Sequence, residues 1–151
     1  MAVREQRLSM RPKILILCTG NSCRSQMAEG FLKSYGSGFE VYSAGTSPAA
    51  TVHPKAVTVM KEIGIDISGA ATKNVAQFLN DSFDYVVTVC DNAKETCPVF
   101  RGKVGRRLHF DFEDPAPAIG TEEEILSKFR TVRDKIKETF LILYRRELSA
   151  I

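Results

Sequence analysis

The feature that most constrains this chain is its regular exchange of short apolar runs with amphipathic stretches. Lys13–Leu17 (KILIL) is an apolar run with turn formers behind it and reads as a buried strand. Arg24–Tyr35 sets Met27, Ala28, Phe31, Leu32 and Tyr35 at helical spacing, with Gly36 as the stop. Phe39–Ser43 (FEVYS) reads as a second strand. Pro54 opens a helix at its first position, with Val57, Met60 and Ile63 facing inward and Gly64 as the stop. Val75–Leu79 reads as a short helix, Asp84–Val89 (DYVVTV) as the clearest strand and Arg107–Phe110 (RLHF) as a weaker edge strand. Thr121 and Glu124 form a capping box ahead of an apolar stripe through Ile125, Phe129, Val132, Ile136, Phe140 and Leu143. This alternation predicts an α/β fold, a parallel sheet with helices on both faces.

Composition narrows the class further. At 151 residues, 44% hydrophobic and 26% charged, the chain suits one globular domain and excludes disorder, collagen and coiled-coil fibres. It has no internal repeat. A net charge of +3, spread along the sequence, suits an anionic substrate and is too weak for nucleic acid. No apolar run could span a bilayer, so no membrane partner is expected, and the start MAVREQRLSMRPK lacks an apolar leader core. The expectation is a cytoplasmic monomer. Residues 1–12 would be a flexible N-terminal extension and 13–151 the single domain. The cysteines are Cys18, Cys23, Cys90 and Cys97. A reducing compartment argues against structural disulfides, and spacings of C-x4-C and C-x6-C are not those of a zinc site. His53 and His109 stand alone, as surface or packing residues do. Neither a metal nor a bound cofactor is expected.

Cys18–Ser25 (CTGNSCRS) directly follows a strand and directly precedes a helix. In that context the amides of Thr19, Gly20, Asn21, Ser22, Cys23, Arg24 and Ser25 can converge with the helix N-terminus on an anion. Gly20 lets the backbone curl. Arg24 can grip two oxygens of a tetrahedral oxyanion with its fork of donors. Cys18 faces the same positive field, which favours the thiolate and so a nucleophile. Ser25 can donate a hydrogen bond to it, and Cys23 points by its spacing away from the anion. The competing view, a structural cysteine beside an ordinary β–α turn, is disfavoured by the strand before and the helix after. Without G-x4-G-K-[ST] the loop is no nucleotide P-loop.

Cys18–Gly30 (CTGNSCRSQMAEG) resembles the active-site loop of the low-molecular-weight protein tyrosine phosphatases. More narrowly, it resembles the thioredoxin-coupled arsenate reductases built on that fold. The phosphatases carry Pro after the Arg-Ser of the loop, whereas this chain has Gln26, as the reductases do. The likeness continues through Val41–Gly45 (VYSAG), Ile65–Ser68 (IDIS), Val86–Cys90, Cys97-Pro98, Asp114-Pro115-Ala116 and Phe129–Asp134 (FRTVRD). It implies a four-stranded parallel sheet flanked by helices. It also implies reduction of arsenate to arsenite, with phosphate as the related oxyanion. Reducing equivalents would come from an external dithiol protein such as thioredoxin, through a transient mixed disulfide.

Cys18 and Cys90 both end predicted parallel strands, at the edge where open α/β sheets bind ligands. A thiol there can reach a covalent adduct on Cys18. The expected relay runs Cys18 to Cys90 to Cys97, and the reductases carry cysteines matching both later positions. Two buried thiols acting as small hydrophobes are the plainer alternative. A helix from Cys90 to Cys97 would part their Cα atoms by roughly 10.5 Å, beyond the about 6.8 Å that a disulfide tolerates. Oxidation is therefore expected to unwind that segment. The residues alone leave Asp114, Asp111 and Glu113 as equal candidates for protonating a departing oxygen, and the family's Asp-Pro pattern selects Asp114. Asn21, Glu29 and Ser43 match family positions that buttress the loop, where some members hold a monovalent cation. Lys73 (or Asn74, if the loop shifts) replaces those members' acidic residue, so a lysine ammonium is expected in the cation's place. Two other functions compete: a tyrosine phosphatase that discards the relay, and a non-enzymatic oxyanion-binding redox sensor.

Overall fold

The computed structural model describes residues 11–89 and 100–149. Strand β1 (Lys13–Cys18) lies inside a four-stranded sheet, between β2 (Glu40–Gly45) and β3 (Phe83–Thr88), with β4 (Val104–His109) at the far edge. All neighbours are parallel, in the order β2-β1-β3-β4. Ile14 and Ile16 of β1 enter one apolar cluster, and Leu15 and Leu17 the opposite one. Burial on both faces is why β1 reads as a continuous apolar run rather than an alternating one.

Helices cover both faces unequally. Against Ile14, Ile16, Val41 and Val87 pack α1 (Arg24–Tyr35), α2 (Pro54–Lys61) and α3 (Glu122–Leu143). They contribute Phe31, Met60, Phe129, Ile136 and Phe140, all fully buried. Cutting Phe129 or Phe140 to Ala is expected to cost about 3–5 kcal/mol, which is comparable with the whole stability of a small domain, about 5–15 kcal/mol. Among the described residues the other face carries a 3₁₀ turn (Val75–Phe78) with Phe100, over Leu15, Leu17, Ala44 and Val86. After α3 the chain continues in one π turn (Tyr144–Leu148).

The predicted elements all form, with shifted bounds. β4 begins three residues before the expected Arg107. It is an edge strand whose Gly105, Arg106 and Arg107 are exposed, so no alternation announces it. Helix α2 ends at Lys61, which leaves Ile63 in the following turn, 36% exposed rather than inward. Its buried face is Ala56, Val59 and Met60. Arg11 donates to the carbonyls of Ser37 and Phe39, and the Glu40 amide donates to Pro12, so residues 11 and 12 are tied to the start of β2. Residues 1–10 of the expected extension lie outside the described residues. So do Cys90, Cys97 and the segment expected to unwind between them.

Strand order reverses direction between β1 and β3. In open α/β sheets the crevice at the carboxyl ends of such strands is where ligands bind, and β1 ends in Cys18.

Candidate active site

After Cys18 the chain turns through residues 19–23 before α1 begins. The loop's carbonyls are held by a strap from residues 46 to 53. The amide of Thr46 donates to Cys18, Ser47 to Thr19 (2.9 Å), Ala49 to Gly20 (2.9 Å) and His53 to Ser22 (2.9 Å). In a planar trans peptide the N–H points opposite to the C=O, so carbonyls turned to the strap turn amides inward. The Asn21 amide accordingly donates to Cys18 Sγ at 3.1 Å. Asn21 has φ +51°, the left-handed conformation that helps successive amides form an anion-binding concavity. Gly45 lies beside Cys18 in the sheet register, and a Cβ there would come within 2.4 Å of the Thr19 carbonyl. Only glycine lets the loop rest on the end of β2.

Helix α1 differs from its companions at its start. α2 is capped by His53, whose Nδ1 accepts from the Lys55 amide, and α3 by the Thr121–Glu124 box. α1 has Cys23 at its N-cap and no side-chain cap. A helix start without a cap leaves its first amides for a ligand, and its dipole favours a negative one.

Hydrogen bonds beneath the loop run in one direction. Asn21, fully buried, donates its two side-chain hydrogens to Ser25 Oγ (2.8 Å) and Ser43 Oγ (3.0 Å). Ser43 passes its own hydrogen to Glu29 Oε1 (2.5 Å). Ser25 Oγ lies 2.9 Å from Cys18 Sγ, and because it accepts from Asn21 its hydrogen is left for the sulfur. Asn21 Oδ1 accepts from Gln26 Nε2 (3.1 Å) and from the Lys73 amide (2.9 Å). Gln26 also donates to the carbonyls of Asn21 and Ala71 (3.1 and 3.0 Å), which ties the loop to the 71–73 segment.

Arg24 is buried. Its Nη1 donates to the Phe112 carbonyl (3.1 Å), and its Nη2 lies 3.6 Å from Asp114 Oδ2. Asp114 is anchored by the Ala116 amide (3.0 Å), with much of its side chain in solvent. The two competing carboxylates are engaged elsewhere: Asp111 with His109, and Glu113 with Lys128. Thus Arg24 and Asp114 are brought together, while the other two carboxylates are not.

Cys23 occupies the opposite end of the loop. Burial pushes its thiol from an ordinary 9.0 up to about 12, with Ser22 as its hydrogen-bond partner at 3.6 Å. It sits in the apolar core as a protonated thiol. The buttress differs in one respect. Glu29 is paired with Lys33 (2.5 Å), a partner that sequence reasoning missed although the i,i+4 spacing on a helix signals it. Lys73 supports the loop through its backbone: its amide holds Asn21 and its carbonyl accepts from Gly45. Its ammonium donates to the Ala71 carbonyl (2.7 Å). Burial lowers the pKa of Lys73, against the opposing pull of Glu29's charge. Among the described residues no group of three or more His, Cys, Asp or Glu could hold a metal, and no helix is long and apolar enough to cross a membrane.

Known proteins resemble this chain in sequence and fold. Arsenate reductase of Halalkalibacterium halodurans is 52% identical over 82% of this chain and 88% of its own length. The Bacillus subtilis arsenate reductase is 49% identical over the same shares. Among solved structures, an arsenate reductase in its oxidized state superposes with a TM-score of 0.76 at 35% identity, covering 89% of this chain and 97% of that one. A thioredoxin-dependent arsenate reductase of Corynebacterium glutamicum matches with a TM-score of 0.57 at 30% identity, over 94% of this chain and 68% of that one. Residues 13–149 match the family described as low molecular weight phosphotyrosine protein phosphatase, and the chain belongs to that family, beside its arsenate reductases.

Proposed function

We propose that this protein reduces arsenate to arsenite with Cys18 as nucleophile and is returned to its reduced form by an external dithiol protein such as thioredoxin. The observation that carries this is the convergence on Cys18 Sγ of the Asn21 amide and the Ser25 hydroxyl, beside the Arg24–Asp114 pair. The donors stabilise a thiolate, Arg24 and the loop amides hold three oxygens of the anion, and Asp114 stands where the fourth would leave.

Cys18 attacks arsenic, and the arsenic–oxygen bond breaks as Asp114 protonates the departing oxygen. Cys90 then attacks the Cys18 sulfur. A disulfide forms, the sulfur–arsenic bond breaks, and its electron pair stays on arsenic, which leaves as arsenite. Cys97 attacks Cys90 and frees Cys18, and the external dithiol reduces the Cys90–Cys97 disulfide. β3, which leads into Cys90, is the neighbour of the strand that ends in Cys18, and this supports the order. The proposal includes a cytoplasmic monomer without a bound cofactor, in a reducing pool that keeps the thiols free.

The test is arsenite production with and without a thioredoxin system, beside hydrolysis of p-nitrophenyl phosphate. Arsenite should accumulate over many turnovers only with the reductant. Because Cys18, Arg24 and Asp114 also suit phosphoester hydrolysis, weak phosphatase activity should accompany it. Steady phosphoester turnover with no arsenite would assign the chain to the phosphatases instead. Binding of either oxyanion with neither product would leave the redox sensor.

A further inference from the structure

The strap of residues 46–53 takes the loop carbonyls of Cys18, Thr19, Gly20 and Ser22 and passes over that of Asn21. The Asn21 carbonyl accepts instead from a side chain, Gln26 Nε2, at 3.1 Å. The same nitrogen lies 3.1 Å from Asn21 Oδ1 and 3.0 Å from the Ala71 carbonyl. Backbone carbonyls only accept, so the group that faces them is the amide nitrogen, and its two hydrogens serve three oxygens. Gln26 is 1% exposed, so water does not compete for these bonds. Its carboxamide therefore grips Asn21 twice, once by the main chain and once by the side chain.

Gln26 is the third residue of α1. At the same position in α3, Glu124 reaches back and accepts from the Thr121 amide, which closes a capping box. Gln26 reaches back as a donor. It takes carbonyls, and so leaves the loop amides to face an anion. What it grips decides the surroundings of Cys18. Asn21 is held at φ +51°, a left-handed conformation that asparagine tolerates better than other L-residues but does not prefer. Both donors described at Cys18 Sγ pass through this residue. One is its own amide, at 3.1 Å. The other is the Ser25 hydroxyl, whose hydrogen is left for the sulfur because Asn21 Nδ2 donates to its oxygen. The Lys73 amide shares the hold on Asn21 Oδ1 but reaches the side chain alone.

We propose that Gln26 is a positioning residue for Cys18: by clamping the left-handed Asn21 through both its carbonyl and its carboxamide, it aims the Asn21 amide and the Ser25 hydroxyl at the sulfur. Nothing reacts at Gln26. It acts on the share of Cys18 that is thiolate, and hence on the step in which the sulfur attacks. This rests on Cys18 being the nucleophile, as proposed above.

The experiment follows alkylation of Cys18 by iodoacetamide across pH, with mass mapping of the labelled peptide. Gln26→Met keeps the side chain's length and removes its donors. On the rising limb of the pH profile its rate should be about 10-fold below the parent's, the scale of one hydrogen bond to a charged group. At high pH, where base alone makes the thiolate, the two rates should meet. Gln26→Glu sets a carboxylate against the three oxygens and should slow the rising limb further. In Asn21→Ala protein, which has lost the carboxamide that aims Ser25, Gln26→Met should cost less than in the parent, as expected of residues that act through one another. A parent-like profile in Gln26→Met overturns the proposal, and so does an equal cost in both backgrounds. A rate that stays low at every pH also overturns it, because a site distorted as a whole behaves that way. If Gln26→Met does not fold, the parent protein decides by nuclear magnetic resonance. The Nε2 hydrogens of Gln26 should exchange with water far more slowly than those of the exposed Gln77, and equal exchange overturns the proposal. Alkylation needs no arsenate, so these failures leave the arsenate reading standing. Arsenite formation by Cys18→Ser protein would overturn that reading and this proposal with it.

Discussion

Cys18 and Cys23 sit at the two ends of one loop, and exposure does not distinguish them, at 2% and 3%. Their surroundings do. Cys18 receives a backbone amide at 3.1 Å and a serine hydroxyl at 2.9 Å, with Asn21 aiming that hydroxyl from below. Cys23 has the Ser22 hydroxyl at 3.6 Å and otherwise faces the apolar core, where burial holds it protonated. Burial alone silences a thiol, whereas burial among converging donors equips it as a nucleophile.

The largest test of that contrast is to remove the equipped sulfur. Cys18→Ser should bring arsenite formation and phosphoester hydrolysis to background, and Arg24→Lys should lower both initial rates by about 10²–10³-fold, the usual scale for losing an oxyanion donor. Near-normal rates in Cys18→Ser would end the comparison at once. Cys97→Ser should release about one arsenite per protein and stop, with mass mapping finding a Cys18–Cys90 disulfide and Cys23 still free. A bond to Cys23 there would show that the buried end of the loop takes part after all. Ser25→Ala removes one hydrogen bond to the thiolate, a loss of about 1.5–3 kcal/mol. Alkylation of Cys18 by iodoacetamide should slow by about 10- to 100-fold, and an unchanged rate would leave the Asn21 amide as the only donor that matters.

Cys23→Ser should stay within about threefold of wild-type activity, as expected for a residue outside the chemistry. Its signature is pH-dependent stability. A thiol whose pKa is raised on folding from 9.0 to about 12 lends stability that is complete below pH 9 and lost as pH rises toward 12. Wild-type melting temperature should therefore fall more steeply than that of Cys23→Ser between those values. Parallel curves would mean that Cys23 ionises freely in the folded protein. The smallest effect concerns the buttress. With Lys33 paired to Glu29 and Lys73 beside it, potassium and sodium buffers should give equal melting temperatures and equal arsenate affinity. A potassium-specific rise would show that an ion still binds.

Much of this was legible in the sequence because the signals are local. KILIL followed by CTGNSCRS states strand, loop and helix in order, and Thr121 with Glu124 states a capped helix. Asp114 needed the family's pattern, since Asp111 and Glu113 carry the same carboxyl three and one positions away, and only the fold sends them to His109 and Lys128. The strap of residues 46–53 left no sequence trace because it acts through backbone amides. Gly45 could be read as part of VYSAG, but its reason, a carbonyl too near for any Cβ, exists only in three dimensions. β4 was read short because an edge strand need not alternate. His109 looked like a lone histidine because its partners, Thr88 and Asp111, are assembled by strand register and a turn.

Because folding itself, through the strap, fixes the loop's amides, the cradle is set before any anion arrives and responds to tetrahedral shape and charge alone. Phosphate and arsenate share both, so under the proposed function the two would compete for the same amides and for Arg24 almost as equals. Selectivity then cannot reside in the equilibrium of entry. It falls to the electron transfer after entry, because only an arsenic adduct can accept the electron pair of the broken sulfur bond and depart reduced. On the proposed mechanism the protein would sort its anions by which one can be carried forward, and a resident phosphate would act as a competitor that slows the work without diverting it.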